Sequence, residues 1–397
     1  MIRLTYLLLT TLISSQIRIP LQMVQLRAVR PRFLSLQTRM ELGFPLVKQD
    51  IRRDQMTTFF GTLNVGRNPT STFKVLFDTG SSEVWVPDSS CISPVCESKS
   101  LYRGSSTLSR EGHQYSIQIQ YLSGSLQGYQ SEELLSFGDN LIVPRQTVDF
   151  ATFIDIPVLA DIAWDGIAGL AFQTGDQKAK GQLPLVETIQ RYKLLTSKGL
   201  RNQAAFHFHP HHGSLSFGGL DSVLAKRVSK IDWVPVIASQ YWRLRLKGVR
   251  LFHGSELIGS PETDPSYIAL PDDAQSIVDT GTYLSYVTPE RTTNASLLSR
   301  FLGLDCAKRS ELPNMQLSFE GGHSVVLYPD DYVVHKAGDT ACSLGFQSDD
   351  QSDEDELQGG WTLGQSLFSN IVTIFDWEER MIGFARVESR LSASGVK

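Results

Sequence analysis

Cysteine is scarce in this chain of 397 residues. There are four, none spaced by two residues and none accompanied by paired histidines, which argues against a structural zinc site. Long apolar runs are missing too. The longest, over residues 4–13, falls well short of the ~20 residues a membrane-spanning helix needs, so no stable span is expected. Positive charge is not in excess, with 37 Lys+Arg against 42 Asp+Glu and a formal net charge of −5. The body of the chain carries no basic footprint, which excludes nucleic acid as the expected partner. With 41% hydrophobic, 10% aromatic and 20% charged residues, the chain can bury a large core and is neither disordered nor collagen-like. Its length favours two domains.

Against this background one pattern occurs twice. Val75-Leu76-Phe77 runs into Asp78-Thr79-Gly80-Ser81-Ser82-Glu83-Val84-Trp85, and Ser276-Ile277-Val278 runs into Asp279-Thr280-Gly281-Thr282-Tyr283-Leu284. Each reads as a buried strand that delivers a carboxylate into a turn, with a glycine where the backbone turns tightly or approaches another group closely. A single such acid is most simply an Asx-turn. Two, each behind paired apolar residues, are expected in fewer than roughly one chain in a thousand at average composition. Equivalent carboxylates at the ends of equivalent strands can meet across a pseudo-two-fold axis and share one proton. From residue 58 onward, short alternating strands punctuated by Gly, Asn and Pro point to an all-β body.

These two stretches resemble the paired active-site signatures of pepsin-like aspartic proteases, and several other segments are similar to that family. Tyr115 to Gly128 looks like its hairpin flap, with Tyr121, Ser123 and Gly124 at the tip. Asp165 to Phe172 and Trp361 to Gln365 look like the apolar-apolar-Gly segments threaded beside each acid, and Trp233 to Trp242 looks like the crossing between lobes. The resemblance implies a mostly β, bilobal fold of two pseudo-two-fold related lobes with the cleft between them. It implies an endopeptidase that hydrolyses internal bonds of protein or peptide substrates with water held between Asp78 and Asp279. No metal or other cofactor is required. The charge splitting of such a dyad is a known example of like-charge coupling. The resemblance makes Asp78 the ionised base and Asp279 the protonated acid. Thr79 and Thr280 lock the acids across the lobes, Ser81 and Thr282 donate to their outer oxygens, and the ring of Tyr121 covers the cleft while its hydroxyl meets the indole of Trp85. It also pairs Cys91 with Cys96 and Cys306 with Cys342. Both acids lie in one chain, so an active monomer is expected, and a half-chain dimeric protease is excluded by count. The alternative is a catalytically impaired pepsin-fold peptide-binding protein.

Residues 1–16, with Arg3 before an apolar run and a small polar pair, read as a secretory signal. Residues 17–53 carry eight basic residues against Glu41 and Asp50, facing an acidic remainder. That contrast suits an inhibitory prosegment over an acidic cleft, with Lys48 the candidate to sit above the acids. The lobes then span 54–230 and 231–397. Cysteine use suits the oxidising secretory pathway, ending outside the cell or in an acidic vesicle, vacuole or lysosome-like compartment. Asn294-Ala295-Ser296 is a glycosylation sequon. His207, His209, His211 and His212 read as a surface hairpin rather than a metal site, and the acids of 349–356 as a solvated loop. Tyr283 stands where the family has a small serine. Gln365 stands where acid-acting members often carry Asp, which removes a charge that would raise the pKa of the pair.

Overall fold

The computed structural model describes residues 43–51, 56–66, 71–104, 115–121, 123–138, 140–209, 212–238, 240–254, 267–287, 306–335, 342–348 and 361–388. Strand dominates these residues, and their helices are short; the longest, Leu185–Arg191, has seven residues. No described helix is long and apolar enough to cross a membrane. Two sheets carry the fold, one of 13 strands and one of 8.

Each Asp-Thr-Gly stretch sits in the same four-strand arrangement. Thr72–Asp78 pairs parallel with Gly166–Gly169, which runs antiparallel to Val84–Pro87, which lies parallel to Leu141–Asp155. In the second half Gln275–Val278 pairs parallel with Trp361–Leu363, which runs antiparallel to Ser285–Val287, which lies parallel to Phe346–Ser348. A strand from much later in the sequence is thus inserted between the two arms of each Asp-Thr-Gly turn. The insertion is why the first arm reads as a continuous apolar run. Val75, Leu76 and Phe77 are all buried, since parallel strands are covered on both faces.

A further part of the large sheet joins the halves. Ile371–Asp376 pairs with Gln203–His209 and Met381–Arg386 with Asp232–Pro235, so strands from the end of the chain complete a sheet begun in the first half. Gly43–Ile51, grouped by composition with the basic leader, lies inside this sheet. Its first part, Gly43 to Leu46, pairs with His212–Phe217 and its second, Val47 to Ile51, with Met56–Val65. Residues 1–42, including the expected signal, lie outside the described residues. The halves also meet through Trp242, which is fully buried, donates its indole N–H to the carbonyl of Leu170 at 2.9 Å and packs on Phe172 with ring centroids 4.4 Å apart. Burying one such side chain contributes about 2–3 kcal/mol. It also fixes the segment that follows Gly169 directly behind the first turn, where the amide of Leu170 donates to the carbonyl of Asp78 at 2.6 Å.

Candidate active site

The two turns meet head to head, and four hydrogen bonds between them define the site. The Thr79 hydroxyl donates to the carbonyl of Val278 at 2.8 Å and accepts from the amide of Thr280 at 2.9 Å. Reciprocally, the Thr280 hydroxyl donates to the carbonyl of Phe77 at 2.8 Å and accepts from the amide of Thr79 at 3.0 Å. Each threonine therefore satisfies two backbone groups of the opposite half, and both are buried. Thr fits here because its hydroxyl acts as donor and acceptor at once.

Within each turn the local bonds are equivalent. Asp78 Oδ1 accepts from the amide of Gly80 at 2.7 Å and its Oδ2 from the Ser81 hydroxyl at 2.5 Å. Asp279 Oδ1 accepts from the amide of Gly281 at 2.7 Å and its Oδ2 from the Thr282 hydroxyl at 2.6 Å. The glycines have a second purpose. A Cβ on Gly80 would lie 2.7 Å from Asp279 Cγ, and one on Gly281 would lie 2.2 Å from Asp78 Oδ1. Each glycine leaves the space into which the opposite acid fits, so the close approach read from the sequence is that of the partner carboxylate.

Beside the acids, Tyr115–Tyr121 and Gly124–Phe137 form a hairpin with Tyr121 opposite Gly124 and Ser123 exposed in the turn. The buried indole of Trp85 donates to the Tyr121 hydroxyl at 3.0 Å. The hairpin tyrosine is thereby tied to the strand that continues the first turn, the contact that the resemblance implied.

Residues 58–387 match the family model described as eukaryotic aspartyl protease. The chain belongs to the eukaryotic aspartyl proteases. It is similar to plasmepsin VII of Plasmodium falciparum, with 33% identity over 367 residues that cover 86% of this chain and 81% of that protein. It is also similar to the vacuolar aspartic protease of Candida albicans, at 30% over 339 residues (82% and 74%), and to rat cathepsin E, at 28% over 351 residues (82% and 79%). The protein is accordingly an aspartic-type endopeptidase with a mostly β, pepsin-like fold.

The electrostatics of this candidate site are uneven. Burial, and then the charge of Asp279, push the Asp78 carboxyl well above the usual carboxylate range, while the donors Ser81 and Gly80 pull it the other way. Asp78 is 6% exposed and Asp279 is only half-buried. Tyr121 is held neutral for the same reasons: burial and the charges of Glu83 and Asp78 raise it well above its ordinary value.

Other sequence-predicted residues fall as follows. Cys91 and Cys96 form a disulfide. Cys342 is also disulfide-bonded, and among the described residues no cysteine is free; the side chain of Cys306 lies outside the described residues, as does Asn294. Gln365 is buried, and its amide donates to the carbonyl of Thr280 in the second turn. Lys48 sits half-buried opposite Phe59. The histidine-rich segment is a hairpin, with His209 opposite His212, but His207 is buried instead of lying at the surface. Burial lowers it to about 4, aided by the neighbouring imidazoles. One group beside the second arm of the first turn was missed altogether: the buried Asp149 carries no motif, and only the fold sets it in register with Trp85.

Proposed function

We propose that Asp78 and Asp279 are the catalytic pair and that the protein hydrolyses internal peptide bonds of extended protein segments with a water held between them. The observation that carries this reading is the reciprocal Thr79–Thr280 lock, which fixes two carboxyls that can share one proton face to face. The ionised member takes a proton from water, and the protonated member donates to the scissile carbonyl oxygen as it becomes tetrahedral. Ser81 and Thr282 hold the outer oxygens so that the inner ones face the water. Tyr121, Ser123 and Gly124 on the hairpin offer edge groups to which a substrate adds as a strand. Both acids come from one chain, so the working unit is a monomer.

The body that carries the site begins at Gly43, because the strand Gly43–Ile51 is paired along its whole length. The preceding basic residues form the removable inhibitory segment of a zymogen, and residues 1–16 its secretory signal. The relatives named vacuolar aspartic protease and cathepsin E support a vacuolar or endolysosomal destination within the secretory pathway. The test is hydrolysis of a denatured protein by the processed chain at acidic pH, blocked by a statine-type mimic of the tetrahedral intermediate. Peptide binding without cleavage would favour an impaired binding protein.

A further inference from the structure

Outside the carboxyl site, an open pocket of about 690 Å³ lies where the two halves meet. That volume is in the range of ligand sites, which favour such junctions. Phe172 and Trp377 form its buried floor. Three exposed cations stand around it: Lys178 on the short helix Gly175–Ala179, Arg191 at the end of the helix Leu185–Arg191, and Arg380 in the turn between Ile371–Asp376 and Met381–Arg386. The one acid of the lining, Glu187, accepts from the amide of Gln173 at 3.0 Å. Arg191 follows Glu187 by four residues, yet among the described residues it makes no ion pair. In a chain whose formal net charge is −5, three cations against one acid is a local reversal of sign.

Arg380 carries a second signal. Its φ is +56°, a left-handed conformation that Gly or Asn adopts at lower cost. A turn built only to reverse the chain would place one of those residues there. The arginine instead lays its guanidinium 3.7 Å from the centroid of the Phe172 ring. A guanidinium stacked on a ring keeps its donors in its own plane, where a carboxylate meets them edge-on. The pocket is also tied to the first turn. The amide of Ala171 donates to the carbonyl of Ser81 at 2.9 Å, and Phe172 is the next residue. Its Cα therefore lies within about 8 Å of that carbonyl, and Ser81 itself donates to Asp78. An extended substrate covers about 3.4 Å per residue, which brings a side chain about three to five residues from the scissile bond to the pocket.

We propose that this pocket binds an acidic segment of the protein substrate, an aspartate or glutamate about three to five residues from the scissile bond, and that Arg191, Arg380 and Lys178 set the preference. The proposal rests on the dyad reading above. Each arginine offers paired donors to a carboxylate, and Lys178 adds a single charge. Phe172 and Trp377 give an apolar surface to the stem of the bound side chain, and the low dielectric there strengthens the ionic contact.

The test uses the processed protein and two series of peptides cut at one shared bond, with a Glu-Glu or a Gln-Gln pair about three to five residues before it in one series and after it in the other. At about pH 5.5, where free glutamate is ionised, kcat/KM in one series should be at least about fivefold higher for the Glu peptide than for its Gln counterpart. Arg191→Glu and Arg380→Gln should each bring that ratio below about twofold and leave turnover of the Gln peptide unchanged. Equal turnover of Glu and Gln peptides by the parent in both series, or a ratio that survives both substitutions, would overturn the proposal. A second arm needs no hydrolysis: fluorescence anisotropy of the labelled peptides on the Asp78→Asn protein. Tighter binding of the Glu peptide that is lost on adding Arg191→Glu would uphold the pocket even if the dyad reading fails, and equal binding of the two peptides would overturn it. Should Arg380→Gln fail to fold, Arg191→Glu, exposed on its helix, decides both arms alone.

Discussion

Thr280→Val is the sharpest probe of the lock between the two turns, because it changes one hydroxyl and almost no volume. Thr280 Oγ serves two backbone groups of the opposite half, accepting from the amide of Thr79 at 3.0 Å and donating to the carbonyl of Phe77 at 2.8 Å. Valine leaves both without a partner in a place that water does not reach, since Thr280 is 2% exposed. A buried neutral donor or acceptor left unpaired costs about 1–3 kcal/mol, so the pair costs about 2–6 kcal/mol. Against a total stability of about 5–15 kcal/mol this is a large fraction. At about 2–4 °C per kcal/mol for a unit of this size, calorimetry should show a drop of about 5–20 °C in the transition that contains the site. The bonds made by Thr79 Oγ are untouched, so the turns stay in contact but lose their alignment. The loss in kcat should exceed the change in KM, since relative orientation of the acids matters most in the transition state. Thr280→Ser retains the hydroxyl and should lie within about 3 °C of the parent, a few tenths to 1 kcal/mol. A Thr280→Val protein that melts within 2 °C of the parent and keeps its kcat would refute the reasoning, as would a serine variant that is equally damaged.

Gly281→Ala places a methyl group 2.2 Å from Asp78 Oδ1, so it should abolish peptide hydrolysis while Gly254→Ala, in open space but at positive φ, costs only stability; activity and melting assays separate the two. Tyr121→Phe removes the acceptor for the buried Trp85 indole and should lower kcat/KM about tenfold with a stability loss of about 1 kcal/mol, checked by kinetics and urea unfolding. Gln365→Asp should raise the alkaline limb of the pH-rate profile by about half a unit to two units, the repulsion of two charges ~6 Å apart at effective dielectrics between water and a protein surface; coincident pH profiles would show that the position does not act on the pair. A chain beginning at Gly43 should fold and cleave peptides, whereas one beginning at Thr57 loses the paired strand Gly43–Ile51 and should be recovered unfolded or aggregated, as circular dichroism would report.

Much of the site was legible because it is local in sequence and duplicated. The two Asp-Thr-Gly turns follow from their own residues, and the threonine cross-bonds and the Trp85–Tyr121 bond were implied by the resemblance of the surrounding motifs to those of pepsin-like proteases. What escaped the sequence is long-range or hidden by an ordinary pattern. Asp149 sits between Val148 and Phe150 in a strand whose alternation reads as a solvent-facing acid, yet the sheet covers that side too. In Gln203–His209 the alternation of Phe206 and Phe208 with His207 suggests one wet face. That face instead packs with Ala205, Val372 and Ile374 under the segment from Leu220 to Trp233. Gly43–Ile51 was masked by the basic residues around it, since nothing in composition tells a paired strand from a leader of the same charge.

The most direct test of the central claim is single-turnover peptide hydrolysis by Asp78→Asn, Asp279→Asn and the double variant, with melting curves to confirm that each remains folded. If one proton shared by two carboxyls activates the water, each single variant should lose activity by at least about four orders of magnitude and the double variant should be scarcely worse, because the two residues act as a unit. A folded single variant that still turns over peptide within about tenfold of the parent, or losses that simply multiply in the double variant, would contradict a shared dyad.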